Sequence, residues 1–132
     1  MNKVRIYLAG TIYKEKPDSI WKSYFKSLLD IPVHGVTEYE FFDPDPQNEP
    51  EKYMIARDKA EIEKADIFVA YIERPSFGTA MEIMYCNILM TKPVFIINPS
   101  GSVKKDLWVS GHADLICSSC VECADHIRTI RF

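Results

Sequence analysis

Two runs in this chain, Ile67-Phe-Val-Ala and Val94-Phe-Ile-Ile, are apolar at every position, and segments with apolar residues at helical spacing lie on either side of them. A strand with one wet face alternates apolar and polar residues. A strand with no polar position needs cover on both faces, and helices packed over a parallel sheet supply it. The alternation predicts strands at Val4 to Ala9 (ending at Gly10), Val36 to Phe42, Asp66 to Ile72, Pro93 to Asn98 and Ala113 to Cys117. Between them it predicts helices from Ser19 to Leu29, with Ile20, Tyr24 and Leu28 as the inward stripe, from about Pro50 to Lys64, and from Thr79 to Met90. A short helix or turn at Lys105 to Val109 and a last helix opened by the capping box Ser119 to Glu122 complete the pattern.

This is a βαβα order with about five strands. With 132 residues, 47% of them hydrophobic, the chain can bury one core and is too short for two ordinary domains. The expectation is α/β: a single-domain, three-layer Rossmann/flavodoxin-like fold over residues 1–132 with an about five-stranded parallel sheet. A formal charge of -3, with Lys scattered among Asp and Glu, leaves no basic stripe for nucleic acid or an anionic membrane, so a small, near-neutral ligand is the expected partner. No signal-like segment precedes the first strand and no apolar run has bilayer length, which predicts a soluble, cytoplasmic protein.

Cys117, Cys120 and Cys123 spell C-x2-C-x2-C, part of an iron–sulfur pattern, but no fourth Cys stands at ferredoxin spacing and Cys86 lies inside the apolar helix. Structural thiols in a reducing compartment are the expectation, and no metal site is assigned. His34, His112 and His126 are too dispersed to suggest one.

In open α/β sheets ligands bind beyond the carboxyl ends of the strands. The loops there lack G-x-G-x-x-G, a Walker lysine motif and a G-x-S-x-G elbow, which argues against dinucleotide, P-loop and serine-hydrolase sites. What stands out is Glu82, the one charged residue between Arg74 and Lys92. Gly78 is expected to break the chain just before a mostly buried helix, placing Glu82 in its first turns. There the helix dipole would hold it ionised while desolvation bares its lone pairs, as a carboxylate nucleophile requires. Capping of its own helix is the plainer alternative. On the preceding helix Met54, Asp58, Ile62 and Ala65 share a stripe, so Asp58 is a second inward carboxyl, unless it merely pairs with Arg57 or a neighbouring Lys at the stripe's edge. Two carboxyls aimed at one strand end suit glycosidic chemistry, one as nucleophile and one handling a proton.

Three motifs then carry a resemblance: Ile6-Tyr-Leu-Ala-Gly10, Arg57-Asp-x-x-x-Ile-x-x-Ala-Asp66 and Ser76-x-Gly-Thr-Ala-x-Glu82. Together, in this order and over most of the chain, they resemble the nucleoside 2-deoxyribosyltransferase family. The resemblance implies that Glu82 attacks the anomeric carbon of a bound deoxyribose, Tyr7 orients Glu82, and Asp58 contacts the base and supplies the proton with which it leaves. It places Gly10, Thr11 and Gly78 beside the substrate and offers Phe42 and Trp21 as walls for the base, although plain core packing accounts for both aromatics better. It implies a retaining, two-step transfer of the sugar between nucleobases, with no metal or organic cofactor. It also implies a homodimer or higher homo-oligomer in which Asp106 and Trp108 complete a neighbour's pocket; the alternative for Trp108 is a buried packing residue of its own subunit.

One departure bears on the substrate. Many of the transferases have Asp where this chain has Ser76, and the Ser resembles the related 2'-deoxynucleoside 5'-phosphate N-hydrolases, in which it contacts the 5'-phosphate. A hydroxyl donates to phosphate oxygens and an Asp repels them. Hydrolysis of nucleoside monophosphates is therefore the alternative activity, and a domain that binds a nucleotide without turnover is a reading from another class.

Overall fold

The computed structural model describes residues 2–10, 20–30, 37–43 and 50–130. Five strands, β1 (Asn2–Gly10), β2 (Thr37–Phe42), β3 (Ile67–Tyr71), β4 (Val94–Ile97) and β5 (Leu115–Cys117), form one sheet in the order β2-β1-β3-β4-β5. Every pairing is parallel, with Tyr7 opposite both Phe42 and Phe68. The helices are α1 (Ile20–Leu29), α2 (Glu51–Lys64), α3 (Phe77–Met84), α4 (Leu107–Gly111) and α5 (Cys120–Thr129). The expected Rossmann/flavodoxin-like α/β fold is the fold observed.

Side chains alternate across the sheet and both faces are filled. Val4, Ile6, Leu8, Ile67, Val69, Phe95 and Ile97 point to the layer built by Trp21, Phe25 and Leu29 of α1 and Cys123 and Ile127 of α5. Tyr7, Ala9, Phe68, Ala70, Val94 and Ile96 point the other way, toward Ile62 of α2 and Ile83 of α3. The period of two, hidden in runs that are apolar throughout, thus divides two cores.

Three expectations need correction. The inward stripe of α1 is Trp21, Lys22, Phe25 and Leu29, while Ile20 is 80% exposed and Tyr24 lies outward. Trp21 sets this rotation by stacking on Tyr71, with centroids 5.1 Å apart, in space that Gly10 leaves open. Gly78 does not break the chain before a helix: it lies in the first turn of α3, which Ser76 caps by accepting from the Thr79 N–H at 3.3 Å. Nor is α3 mostly buried. Thr79 and Ile83 face the core, whereas Phe77, Met81 and Met84 are exposed. The helix then widens into one π turn, Tyr85–Leu89.

The chain reverses its winding between β1 and β3, since β2 lies on one side of β1 and β3 to β5 on the other. Their carboxyl ends flank the crevice where such sheets bind ligands. At the opposite, amino end of β3, Asp66 ties it to β1: its carboxylate accepts the Arg5 N–H at 2.8 Å, and its own N–H donates to the Arg5 carbonyl at 2.8 Å.

Candidate active site

Tyr7 is fully buried in β1, stacked on Phe68 at 5.2 Å and tilted against Phe42 at 5.4 Å, so its ring has little freedom. Its hydroxyl emerges toward α3 and donates to Oε2 of Glu82. Glu82 lies in the second turn of α3, next to the buried Ile83, and is itself partly buried. Asp58 comes from α2, on the stripe that ends in buried Ile62 and Ala65, and Arg57 grips it with Nε 3.2 Å from Oδ1. Asp58 is both the inward carboxyl and the partner of Arg57, so the two readings of it coexist. Three separate elements therefore bring Tyr7, Glu82 and Asp58 into one electrostatic group.

Burial pushes the Glu82 carboxyl up from 4.5 to about 7; the Asp58 charge adds to the rise, and the Tyr7 hydroxyl and Lys22 oppose it. The expected dipole-held carboxylate is thus corrected: Glu82 stands beyond the first turn, where the dipole fades, and desolvation prevails. Asp58 is also raised by burial, but Arg57 holds its charged form. Burial and the neighbouring Glu82 carboxylate raise Tyr7, which stays a neutral donor. Burial thus favours the protonated form of Glu82, while Arg57 favours the charged form of Asp58. That order is the reverse of the one needed for attack by Glu82 and proton donation by Asp58.

Lys22 escaped the sequence reading. It is 7% exposed on the inward side of α1, and its Nζ is 2.5 Å from Oδ1 of Asp43, the residue that follows β2; Lys26 reaches the other oxygen at 3.2 Å. Since Phe42 pairs with Tyr7, this anchor lies beside the Tyr7–Glu82 pair and presents a cation to it. The signal available was a Lys between the inward-facing Trp21 and Phe25. Asn98 was missed as well. Buried at the end of β4, it donates to the Ile72 carbonyl at 2.7 Å and accepts from the Val103 N–H at 2.9 Å, fixing the loop beyond that strand.

The remaining expected residues divide. Gly10 ends β1, and a Cβ there would lie 3.2 Å from Trp21 and 3.3 Å from the Tyr71 carbonyl, so packing already favours a glycine. Trp21 is a core residue and Phe42 packs on Tyr7. Thr11 and His34 lie outside the described residues. A Cβ on Gly78 would meet nothing within 4 Å. Asp106 caps α4 by accepting from the Val109 N–H at 3.0 Å, and Trp108 is 76% exposed, stacked on His112. The reading of Trp108 as a buried packing residue of its own subunit is therefore excluded. Among the described residues the hydrogen bonds and ring contacts of Asp106 and Trp108 stay within Val103 to His112, although α4 packs against α3.

A cavity of about 220 Å³ lies between β1, β2 and the end of α2, with Phe42 on its border. Its charged walls pair among themselves, Arg5 with Glu40 and Lys64 with Glu61, and it contains none of the three central residues. Among the described residues no three His, Cys, Asp or Glu side chains are placed to share a metal ion, and no helix is long and apolar enough to cross a membrane. Neither the family models nor the curated proteins searched match this chain.

Proposed function

We propose that this protein cleaves the N-glycosidic bond of (deoxy)nucleosides through a covalent deoxyribosyl ester on Glu82 and passes the sugar to a second nucleobase. The observation that carries the proposal is the Tyr7–Glu82 hydrogen bond with Asp58 alongside, at the point where the sheet reverses its winding. A carboxylate held by a rigid tyrosine is confined to one line of approach, which lowers the entropic cost of attack on a bound sugar. In the ionised fraction of Glu82, one oxygen accepts from Tyr7 and the other would attack the anomeric carbon. Asp58, on the adjacent helix, would carry the proton to the departing base. With the resting protonation favouring Glu82, substrate binding must reverse it: a base that accepts a hydrogen bond from Asp58 stabilises its protonated form and leaves Glu82 ionised.

The alternative is release of the base from a nucleoside 5'-monophosphate, with water as the acceptor. Ser76 favours it: the cap uses the Ser76 oxygen as an acceptor, leaving the O–H to donate to a phosphate at the N-terminal end of α3. For either reaction we propose a homodimer. The bare apolar residues Phe77, Met81 and Met84 on α3 and Leu107 and Trp108 on α4 support a second copy covering this face.

The deciding experiment is chromatography of the products from a panel of deoxynucleosides and their 5'-monophosphates, each with and without a second base, with Glu82→Ala as control. A new nucleoside that forms only with the second base supports transfer; free base released from monophosphates alone supports hydrolysis. Rapid quenching followed by peptide mass spectrometry should place the sugar on Glu82. A sugar found on Asp58 would exchange the two roles, and no turnover of any member of the panel would remove the proposal.

A further inference from the structure

Two cations of α2 keep their charge at the surface: Lys59 lies over the Tyr85 ring at 5.5 Å, and Lys64 reaches Glu61 at 3.5 Å in an exposed pair. Arg57 turns inward instead. Only 25% of its side chain is exposed, and Nε and Nη2 both lie 3.2 Å from the same oxygen, Oδ1 of Asp58. Neighbouring residues of a helix point about 100° apart and do not face each other, so the Arg57 side chain has to fold back across the helix to make this contact. Ile62 and Ala65, further along the stripe, are 1% and 4% exposed and seat the helix against the sheet. They leave the Asp58 carboxyl free to rotate about its own side-chain bonds, and the two-nitrogen contact removes that freedom.

We infer that Arg57 is a positioning residue for the proposed reaction: it holds Asp58 by Oδ1, so that Oδ2 carries the proton given to the departing base, and it stabilises the carboxylate left behind. The inference rests on the reading of Asp58 as the proton donor. As a Glu82 oxygen forms its bond to the anomeric carbon, the C–N bond breaks and its electron pair goes to the base; the base takes the proton from Asp58, which becomes a carboxylate beside the guanidinium. A cation already in place as that charge develops has no reorganisation to undergo, and stabilisation of this kind is the most effective. The same cation disfavours protonated Asp58 before reaction, so Arg57 makes the protonated form scarcer and a stronger acid. Lysine is a poor substitute, because a single ammonium on a flexible stem cannot set two nitrogens against one oxygen.

A residue that acts through Asp58 matters only where the departing base needs a proton. The test compares wild type, Arg57→Gln and Arg57→Lys on two substrate pairs, 2'-deoxyguanosine with 7-methyl-2'-deoxyguanosine and 2'-deoxyuridine with 5-fluoro-2'-deoxyuridine, each also as its 5'-monophosphate. The second base of each pair departs with less need of protonation, since 7-methylation places a positive charge on the purine and fluorine stabilises the departing anion. Arg57→Gln should lower kcat/KM for the first member of a pair roughly 10- to 100-fold and for the second by less than about threefold, with Arg57→Lys in between. Each ratio is taken within one preparation, so a loss of folded enzyme cancels from it, and a merely structural role for Arg57 would leave the ratio unchanged. Equal losses on both members, with wild type active, would overturn the role of Arg57 and leave the reading of the site standing. Wild type inactive on every member would overturn the reading of the site and this inference with it.

Discussion

The hydroxyl of Tyr7 donates to Oε2 of Glu82 across the gap between β1 and α3, joining residues 75 positions apart. A donor to the charged form lowers a carboxyl's pKa, so Tyr7 opposes the burial that lifts Glu82 to about 7. If the ionised Glu82 is the nucleophile, kcat/KM rises with pH through a limb near 7. In Tyr7→Phe that limb moves to higher pH and turnover at neutral pH falls on the order of tenfold, as expected for one to two units from a charge-assisted hydrogen bond. A pH–rate profile for both proteins checks this, and an unmoved limb would mean that Tyr7 positions substrate instead.

The same group couples stability to pH. Glu82 binds its proton more tightly in the folded protein than in the unfolded chain, since its pKa is raised from 4.5 to about 7. Its contribution therefore favours folding below the unfolded value and is lost as pH rises through about 7, where the ionised form costs roughly 3 kcal/mol. Glu82→Gln should match the wild type in urea denaturation near pH 4 and be about 2–3 kcal/mol more stable near pH 8. A gap of constant size at both values would show that Glu82 does not titrate in this range.

Strands were legible because runs such as Val94-Phe-Ile-Ile can be satisfied only by cover on both faces, and Asp58 was legible because it interrupts an apolar stripe at helical spacing. Lys22 and the true stripe of α1 were not. Ile20, Tyr24 and Leu28 make as regular a pattern as Trp21, Phe25 and Leu29, and what decides between them is the fit of Trp21 over Gly10, a contact between distant segments. The bare face of α3 was equally hidden, since periodicity does not tell an apolar residue that faces its own core from one left at the surface. The ionisation of Glu82 was misjudged because desolvation depends on tertiary packing, whereas the dipole can be estimated from position along a helix.

Gly10 separates packing from ligand contact. An Ala Cβ would press on Trp21 at 3.2 Å and on the Tyr71 carbonyl at 3.3 Å, and the backbone atom cannot yield as the indole can. Gly10→Ala should cost about 1–2 kcal/mol, and pairing it with Trp21→Phe should recover part of that loss in denaturation midpoints. If Gly10→Ala raises KM at unchanged stability, the glycine serves the approach of the sugar alone.

Ser76 permits a clean substitution because two side chains can fill its structural role. Asp is as good an N-cap as Ser, so Ser76→Asp keeps the acceptor for the Thr79 N–H, whereas Ser76→Ala loses it at about 1 kcal/mol. With the cap held constant, the remaining change is a negative charge at the start of α3, where a phosphate would compete with it. Ser76→Asp should therefore retain its melting temperature and shift the ratio of kcat/KM for 5'-monophosphates over free deoxynucleosides down by tenfold or more, about 1.4 kcal/mol. The control is Ser76→Ala, which removes the hydroxyl without adding charge and should lower both substrates' rates more evenly. An unchanged ratio in Ser76→Asp would assign Ser76 to the cap alone and move any phosphate contact to another part of the site.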